Sequence, residues 1–133
     1  MERFGFRKLR VYQAAKEVVA EVNRLARRIP RDHMDLVWQM RRAARSIALN
    51  IAEGAGEFTP MEKARIYRIA RRSAWETAAA FDMAVDDGFF SAKELETVFD
   101  RLDAVIGMLV NMGRANERKQ SYRANSKRPP KRG

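Results

Sequence analysis

Apolar residues recur every three or four positions over the first part of the chain, which is the spacing that places them on one face of an α-helix. The stretch from residue 8 to residue 29 therefore predicts a first helix, which ends at Pro30 because proline cannot continue a helix. The apolar face of this helix consists of Val11, Ala15, Val18, Val22, Leu25 and Ile29. We expect this face to be buried.

A second helix is predicted after the short polar loop "PRDHMD". Asp35 is a suitable N-cap because a short polar side chain can accept a hydrogen bond from the free amides at a helix start. Gly54 is a suitable end because glycine is common just past the last helical turn. The apolar face consists of Val37, Met40, Ala44, Ile47 and Ile51.

A third helix start is marked by "TPMEKARIY", with Thr59 as N-cap and Pro60 at the first helical position. Glu62 follows the cap by three residues, so that its carboxylate can reach back to the amide of Thr59. The helix is predicted to run to Asp87, and Gly88 is its stop.

The fourth helix begins at "SAKE", where Ser91 and Glu94 repeat the same capping pattern. It is predicted to end at Gly113. Its apolar face consists of Leu95, Val98, Leu102, Val105, Leu109 and Met112.

Four helices joined by short loops, with no stretch typical of a strand, predict an all-α protein. The expected architecture is an antiparallel up-down-up-down four-helix bundle over residues 1–113. Residues 114–133 are polar and basic and contain almost no apolar side chains to bury. We therefore predict a disordered, flexible basic C-terminal tail.

An unusual polar cluster lies at the end of helix 2, in "SIALNIAEGAG". Ser46, Asn50 and Glu53 share one helical face because they are four and seven residues apart. The structural interpretation has Asn50 bonding across a helix interface and Glu53 serving a neighbouring helix start or an arginine. Gly54 and Gly56 would let the chain leave the helix and turn back sharply.

The competing interpretation of that cluster is a catalytic or metal site. A nucleophilic Ser46 would need a general base, and the one histidine, His33, lies in a predicted surface loop. A di-metal bundle site would need Glu-x-x-His pairs, which the sequence does not contain. We therefore predict no enzymatic activity, no cofactor and no metal.

Composition restricts the number of domains, the kinds of metal or disulfide site and the cellular location of the protein. The chain has 133 residues, which is enough for one domain, and it has no cysteine. Disulfides and thiolate metal sites are thereby excluded. No apolar run is long enough to cross a bilayer, and the N-terminus does not resemble a signal peptide. We predict a cytoplasmic protein.

The net charge of +10 is unevenly distributed. Basic residues are in excess in residues 2–72 and again in residues 114–133, whereas acidic residues are in excess in residues 73–113. Acidic side chains gather at Asp82, Asp86 and Asp87 and along helix 4, where a neighbouring subunit's arginines could meet them. This opposition, with the alanine-rich face "SAWETAAAF", predicts a head-to-tail contact that closes into a ring.

The basic residues form three clusters that are candidates for contacting nucleic-acid phosphates. The alternative is a solvated face, with some pairing to Glu62 or to another subunit. The candidates in helix 2 are Arg41, Arg42 and Arg45, and those in helix 3 are Arg65, Arg68, Arg71 and Arg72. The candidates in the tail are Arg118, Lys119, Arg123, Lys127, Arg128, Lys131 and Arg132.

Most aromatic residues lie at helical spacing beside alanines and are therefore predicted to be core or subunit contacts rather than stacking platforms for bases. This group contains Tyr67, Trp75, Phe81, Phe89, Phe90 and Phe99. Tyr122 has no core to join and is the better candidate for stacking.

The helix 2 motif "SIALNIAEGAG", with "QMRRAA" before it and "EKARIYRIARRSAWETAAAFDMA" after it, resembles the signature of the 23S rRNA intervening-sequence proteins. "FRKLRVYQAAKEV" and "DDGFF" are similar to the first helix and the last turn of that family. The resemblance spans about residues 6–113. Glu57 departs from the family pattern, which commonly has a basic residue after the glycines.

Partners and assembly follow from the resemblance. This fold includes the accessory variability proteins of diversity-generating retroelements, which form homopentameric rings with a basic surface and bind nucleic acid and a reverse transcriptase. The resemblance thus implies a homopentamer, RNA or DNA as ligand and a reverse transcriptase as partner. The alternative function is a scaffold ring whose basic surface docks an acidic protein.

Overall fold

A computed structural model describes residues 3–127 of the chain. Within them lie four α-helices and no strand. The helices are α1 (Arg10–Ala26), α2 (Met34–Ala55), α3 (Pro60–Asp86) and α4 (Glu96–Ser126). Short 3-10 turns precede α1, α2 and α4, at Gly5–Lys8, Arg31–His33 and Lys93–Leu95.

The helices form a four-helix bundle, as predicted. Each helix packs against the next one in the chain, and α1 also packs against α4, so that α2 and α4 occupy opposite corners. Arg101, near the start of α4, bonds to Glu17 in α1 at 2.6 Å. Arg28, just after α1, bonds to Glu94, just before α4, at 2.5 Å. The end of α1 thus lies beside the start of α4, and the two helices are antiparallel.

The predicted apolar faces supply the core. All the seam residues predicted for the first two helices are at most 6% exposed. The fourth seam is buried from Leu95 to Leu109, and Met112 packs against its edge. Among residues 3–127, no helix combines the length and apolar composition that a membrane span requires.

The predicted start of α3 at Thr59 is confirmed, although the Glu62 carboxylate bonds to Arg65 and, among residues 3–127, does not reach back to the Thr59 amide. Thr59 Oγ1 accepts a hydrogen bond from the amide of Glu62 at 3.2 Å, with Pro60 at the first position of α3. Ser91 and Glu94 bond reciprocally, each side chain accepting from the other's amide at 3.2–3.3 Å. The prediction that helix 4 begins at this pair is wrong, because the 3-10 turn comes first and α4 begins at Glu96, with Leu95 in the cap position.

Asp35 is predicted to cap the start of helix 2, and Gly88 is predicted to stop helix 3. Asp35 is not the N-cap of α2, because the helix begins at Met34 and His33 occupies the cap position. Asp35 instead lies in the first turn, where a carboxylate interacts favourably with the helix dipole. Gly88 has a φ of +83°, which is the left-handed conformation expected of a glycine stop after α3.

The prediction that helix 4 ends at Gly113 is wrong, because α4 continues to Ser126. The added turns are held to the bundle: Asn116 is buried, and Glu117 accepts a hydrogen bond from Arg68 of α3 at 3.2 Å. The segment also contains arginine, alanine, glutamate, lysine and glutamine, which all favour helix. The remainder of the predicted flexible tail, residues 128–133, lies outside the described residues.

The predicted role of Gly54 is also wrong. Gly54 is a buried residue inside α2, and a Cβ atom there would lie 2.7 Å from Cε1 of Tyr67 in α3. Its lack of a side chain therefore allows α2 and α3 to approach closely. Gly56 is the C-cap and has an ordinary right-handed conformation, so neither residue makes the turn by a positive φ.

Candidate nucleic-acid interface

The polar residues at the end of helix 2 belong to a hydrogen-bonded contact between α2 and α3. The hydroxyls of Ser46 and Ser73 share a hydrogen bond of 2.8 Å across the helix interface. Asn50 Nδ2 donates to Ser46 Oγ at 3.0 Å and to the Ser46 carbonyl at 2.8 Å. On α3, Ser73 and Thr77 each donate to the carbonyl four residues earlier. Polar atoms in this narrow interface are therefore satisfied.

This geometry favours the structural interpretation of the motif. The partners of Ser46 Oγ are a hydroxyl and an amide, and neither is a general base that could activate a nucleophile. The prediction that Asn50 bonds across the interface is wrong, because Asn50 bonds within α2 and Ser46 makes the crossing. Asn50 instead orients the Ser46 hydroxyl, which bonds to Ser73 across the interface.

Glu53 and Lys63 complete the corner between α2 and α3. Lys63 Nζ donates to the carbonyls of Gly54 and Ala55 at 3.1 and 3.0 Å, which satisfies two acceptors at the end of α2. The hydrogen bonds that Arg65 donates to the Glu62 carboxylate raise the pKa of the Arg65 guanidinium, and the nearby charge of Glu53 acts in the same direction. Glu53 is exposed and, within residues 3–127, makes no ion pair with an arginine, so its role as the partner of an arginine stays a prediction.

The three arginines predicted in helix 2 line one groove on the outer side of α2, with a volume of about 600 Å³. Arg41 Nε donates to the side-chain oxygen of Asn23 at 3.1 Å, a neutral partner that leaves its charge uncompensated. The Arg42 guanidinium lies over the Trp38 ring, 5.1 Å from its centroid. We call this groove the α2 basic groove; its lining is Met34, Val37, Trp38, Arg41, Arg42, Arg45, Ser46, Leu49, Asn50 and Glu53.

The arginines predicted in helix 3 divide into two pairs. Arg65 bonds to Glu62 at 3.0 Å, as the alternative interpretation of this cluster predicts, and Arg68 bonds to Glu117 at 3.2 Å. For Arg71 and Arg72, no acidic side chain among residues 3–127 lies within ion-pair distance. The second pair is therefore the better candidate for contacting phosphates.

The basic residues predicted in the tail lie on the last turns of α4 as far as the structure describes them. All of their side chains are exposed, and within the described part of the chain none has an acidic partner. We call this surface the α4 basic end; it consists of Arg114, Arg118, Lys119, Arg123 and Lys127. The other predicted contacts, Arg128, Lys131 and Arg132, lie outside the described residues.

These clusters form two surfaces, and Arg71 borders the second one, because it lines a groove between α3 and α4 together with Arg114. Helices α2 and α3 are neighbours, and Arg45 and Arg72 each precede one of the two bonded serines, Ser46 and Ser73. The α4 basic end belongs to the helix at the corner opposite α2. A single chain therefore presents positive charge on two sides of the bundle.

Aromatic residues occupy both predicted and unexpected positions. Tyr67, Phe81 and Phe90 are buried, and burial raises the pKa of the Tyr67 hydroxyl. Phe89 and Phe99 pack against the core. Trp75, in contrast, is 65% exposed, so it is not part of the core, and its predicted alternative as a subunit contact stays a prediction. Tyr122 is exposed, as expected of a side chain without a core.

Trp38 is the residue of this surface that the sequence interpretation missed. It is 60% exposed and lies beside the three arginines of α2. A signal was present in the sequence, because Trp38 falls outside the apolar face that contains Val37 and Met40 and precedes Arg42 by one helical turn.

The acidic residues remain candidates for a contact between subunits. Asp82, Asp86, Asp87, Glu96, Asp100 and Asp103 are all exposed. Across residues 3–127, no group of three or more metal-binding side chains is placed to hold an ion. Their charge is therefore available on the outer surface of α3 and α4.

Comparison with known proteins supports the resemblance seen in the sequence. The family model described as 23S rRNA-intervening sequence protein matches residues 7–111. No curated protein matches the chain. The matched region begins before α1 and ends within α4, so it includes the α2–α3 corner and the α2 basic groove. The chain belongs to the 23S rRNA-intervening sequence protein family.

Proposed function

We propose that this protein is a non-enzymatic accessory factor that binds RNA or DNA by contacting phosphates. The observation that carries the proposal is the set of exposed arginines on α2 and α3 without acidic partners, of which Arg42, Arg45 and Arg72 are the most accessible. An arginine paired with a carboxylate offers little net charge to a ligand, whereas an unpaired one offers a full charge and several donors.

Phosphate binding without sequence preference follows from the type of surface. Guanidinium groups bind phosphate oxygens through charge-assisted hydrogen bonds, and each contact releases counterions from the nucleic acid. Helix α2 presents its arginines on the outer side of a bundle, and the α4 basic end adds charge on another side. A strand that follows both surfaces would be held by many weak contacts of the same kind.

Removal of residues 127–133 is expected to flatten the salt dependence of binding while the bundle stays intact. The deletion takes away Lys127, Arg128, Lys131 and Arg132 but leaves α4 complete to Ser126. If each of these side chains contacts one phosphate, the slope of log affinity against log salt should become shallower by about 3 on single strands. Fluorescence anisotropy at several salt concentrations measures both slopes.

A longer deletion serves as the comparison. Cutting after Gly113 would also remove Asn116, which is buried, and Glu117, which bonds to Arg68 of α3. This variant is expected to lose stability as well as charge. If the shorter deletion left the salt slope unchanged, the C-terminal residues would have no part in phosphate binding.

Self-association is a second proposal, which rests on exposed apolar side chains. Met61, Trp75 and Met83 lie on the outer side of α3 and are 58–65% exposed. We name them the α3 outer stripe. They share one face of α3 with Arg68 and Arg72, which lie between Met61 and Trp75, and exposed apolar side chains on one face favour an interface. We propose a homo-oligomer in which this stripe and the acidic surface of α4 take part, with five subunits as the resemblance implies.

Light scattering at about micromolar concentration tests the assembly. The double substitution Met61→Glu and Met83→Glu is expected to reduce the mass to that of one chain, because it places charge in an apolar contact. Leu49→Glu is the matched control, since Leu49 is 68% exposed but lies in the α2 basic groove. A monomeric parent protein would refute the assembly.

A reverse transcriptase is the proposed protein partner if the chain serves a retroelement. The support is the resemblance to accessory variability proteins together with the basic surface. We propose that the protein acts in the cytoplasm, in agreement with its lack of cysteine. Co-purification with a reverse transcriptase encoded nearby would test the partnership directly.

A further inference from the structure

Trp38 is an exposed aromatic residue in a positively charged groove. It is 60% exposed on the outer side of α2, and Arg41, Arg42 and Arg45 line the same groove. Exposed aromatic rings interleaved with cationic side chains are typical of surfaces that bind single-stranded nucleic acid, because unpaired bases stack on the rings.

The arrangement around Trp38 is suited to stacking. The Arg42 guanidinium lies over the ring at 5.1 Å from the centroid. This contact limits the rotation of both side chains and is itself favourable, since a cation is attracted to the face of an indole. Because most of the residue still faces solvent, a second planar group can stack on it.

The groove has room and chemistry for one nucleotide or more. Its volume of about 600 Å³ lies within the usual range of small-molecule sites. Leu49, which is 68% exposed, supplies a further apolar contact, and the three arginines carry charge that no described acidic side chain compensates by an ion pair. Apolar and cationic groups thus alternate over a short distance.

We infer that the α2 basic groove binds an unpaired nucleotide of a single strand, with the base stacked on Trp38 and the adjacent phosphates on Arg41, Arg42 and Arg45. The inference rests on the proposed function and adds to it a preference for single-stranded nucleic acid. Bases inside a duplex are stacked on each other and cannot reach the indole, so the groove selects single strands over duplexes.

The chain has two tryptophans, which makes the stacking measurable. Trp75→Phe leaves Trp38 as the single tryptophan, and Trp38→Phe leaves Trp75, which lies on the α3 outer stripe. Each variant is titrated with oligothymidylate and with an abasic strand of the same length and phosphate number. Light scattering checks that both variants keep the mass of the parent protein.

Stacking predicts that oligothymidylate quenches the fluorescence of Trp38 in the Trp75→Phe variant, whereas the abasic strand does not. Trp75 in the Trp38→Phe variant should respond to neither strand. Trp38→Ala should weaken binding of oligothymidylate by about 5- to 150-fold, which is the usual effect of removing one stacking platform. Its affinity for the abasic strand should be unchanged.

Three results would overturn the inference. If the parent protein and Trp38→Ala both bound the two strands with equal, salt-dependent affinity, stacking of a base on Trp38 would be refuted. Phosphate binding would still stand. Absence of binding to either strand at low salt would refute the proposed function as well. A change of mass on Trp38→Ala would assign the indole to a contact with a second copy of the chain.

Discussion

Replacing Arg41, Arg42 and Arg45 together with alanine is expected to lower the affinity for single-stranded RNA or DNA by about 100-fold at about 0.1 M salt. Each phosphate contact contributes about 0.7 to the salt slope on a single strand, so removal of three reduces the slope by about 2. The three side chains are exposed or half-exposed around one groove, so their replacement should leave the core intact. Fluorescence anisotropy measures the affinity.

A matched control removes the same number of charges from arginines that already have partners. Arg24 bonds to Glu21, Arg28 to Glu94 and Arg101 to Glu17. Their joint replacement with alanine should change the affinity much less, because none of these side chains lines the α2 basic groove. Equal losses of affinity in the two triple variants would mean that net charge alone, and no particular surface, determines binding.

Gly54→Ala is expected to destabilise the protein by about 1–2 kcal/mol, although alanine is the better helix former. The new Cβ would lie 2.7 Å from the ring of Tyr67, a residue that is 3% exposed and has little room to move. The ring or the helices must therefore shift. Urea denaturation monitored by circular dichroism measures the change in the free energy of unfolding.

Gly107→Ala is the control for helix propensity. Gly107 is exposed in α4, and a Cβ there would meet no atom within 4 Å. This substitution should stabilise the protein by about 0.5–1 kcal/mol. The two substitutions thus have opposite expected signs. Stabilisation by Gly54→Ala would contradict the close approach of α2 and α3.

Helix starts and buried faces are predictable because their causes are local. The cap at Thr59 needs only a side chain and an amide three residues later, and the periodicity of the apolar residues defines each buried face. Bundle architecture follows from four such helices and short loops. These features depend on residues that are close in the sequence.

The features that the sequence does not reveal depend on contacts between distant residues. Gly113 does not end α4, since packing of Asn116 and the bond between Glu117 and Arg68 favour further helical turns. The role of Gly54 depends on Tyr67, which belongs to the next helix. No local pattern contains either contact.

The candidate site is predictable in composition but only partly in arrangement. The arginines of α2 do share a groove, whereas Arg65 and Arg68 are paired with carboxylates. The sequence leaves open whether Trp75 is a core or a subunit contact, because nearby alanines on α3 obscure which face of the helix is buried. Exposure of an aromatic residue on an alanine-rich helix becomes evident only in the tertiary structure.

The most direct test of phosphate binding is the slope of log affinity against log salt for the intact protein and for the Arg41, Arg42 and Arg45 triple variant. We predict a straight line with a negative slope for the intact protein and a slope that is smaller by about 2 for the variant on a single strand. Affinity that does not depend on salt, or no binding to RNA or DNA at low salt, would contradict the proposed function.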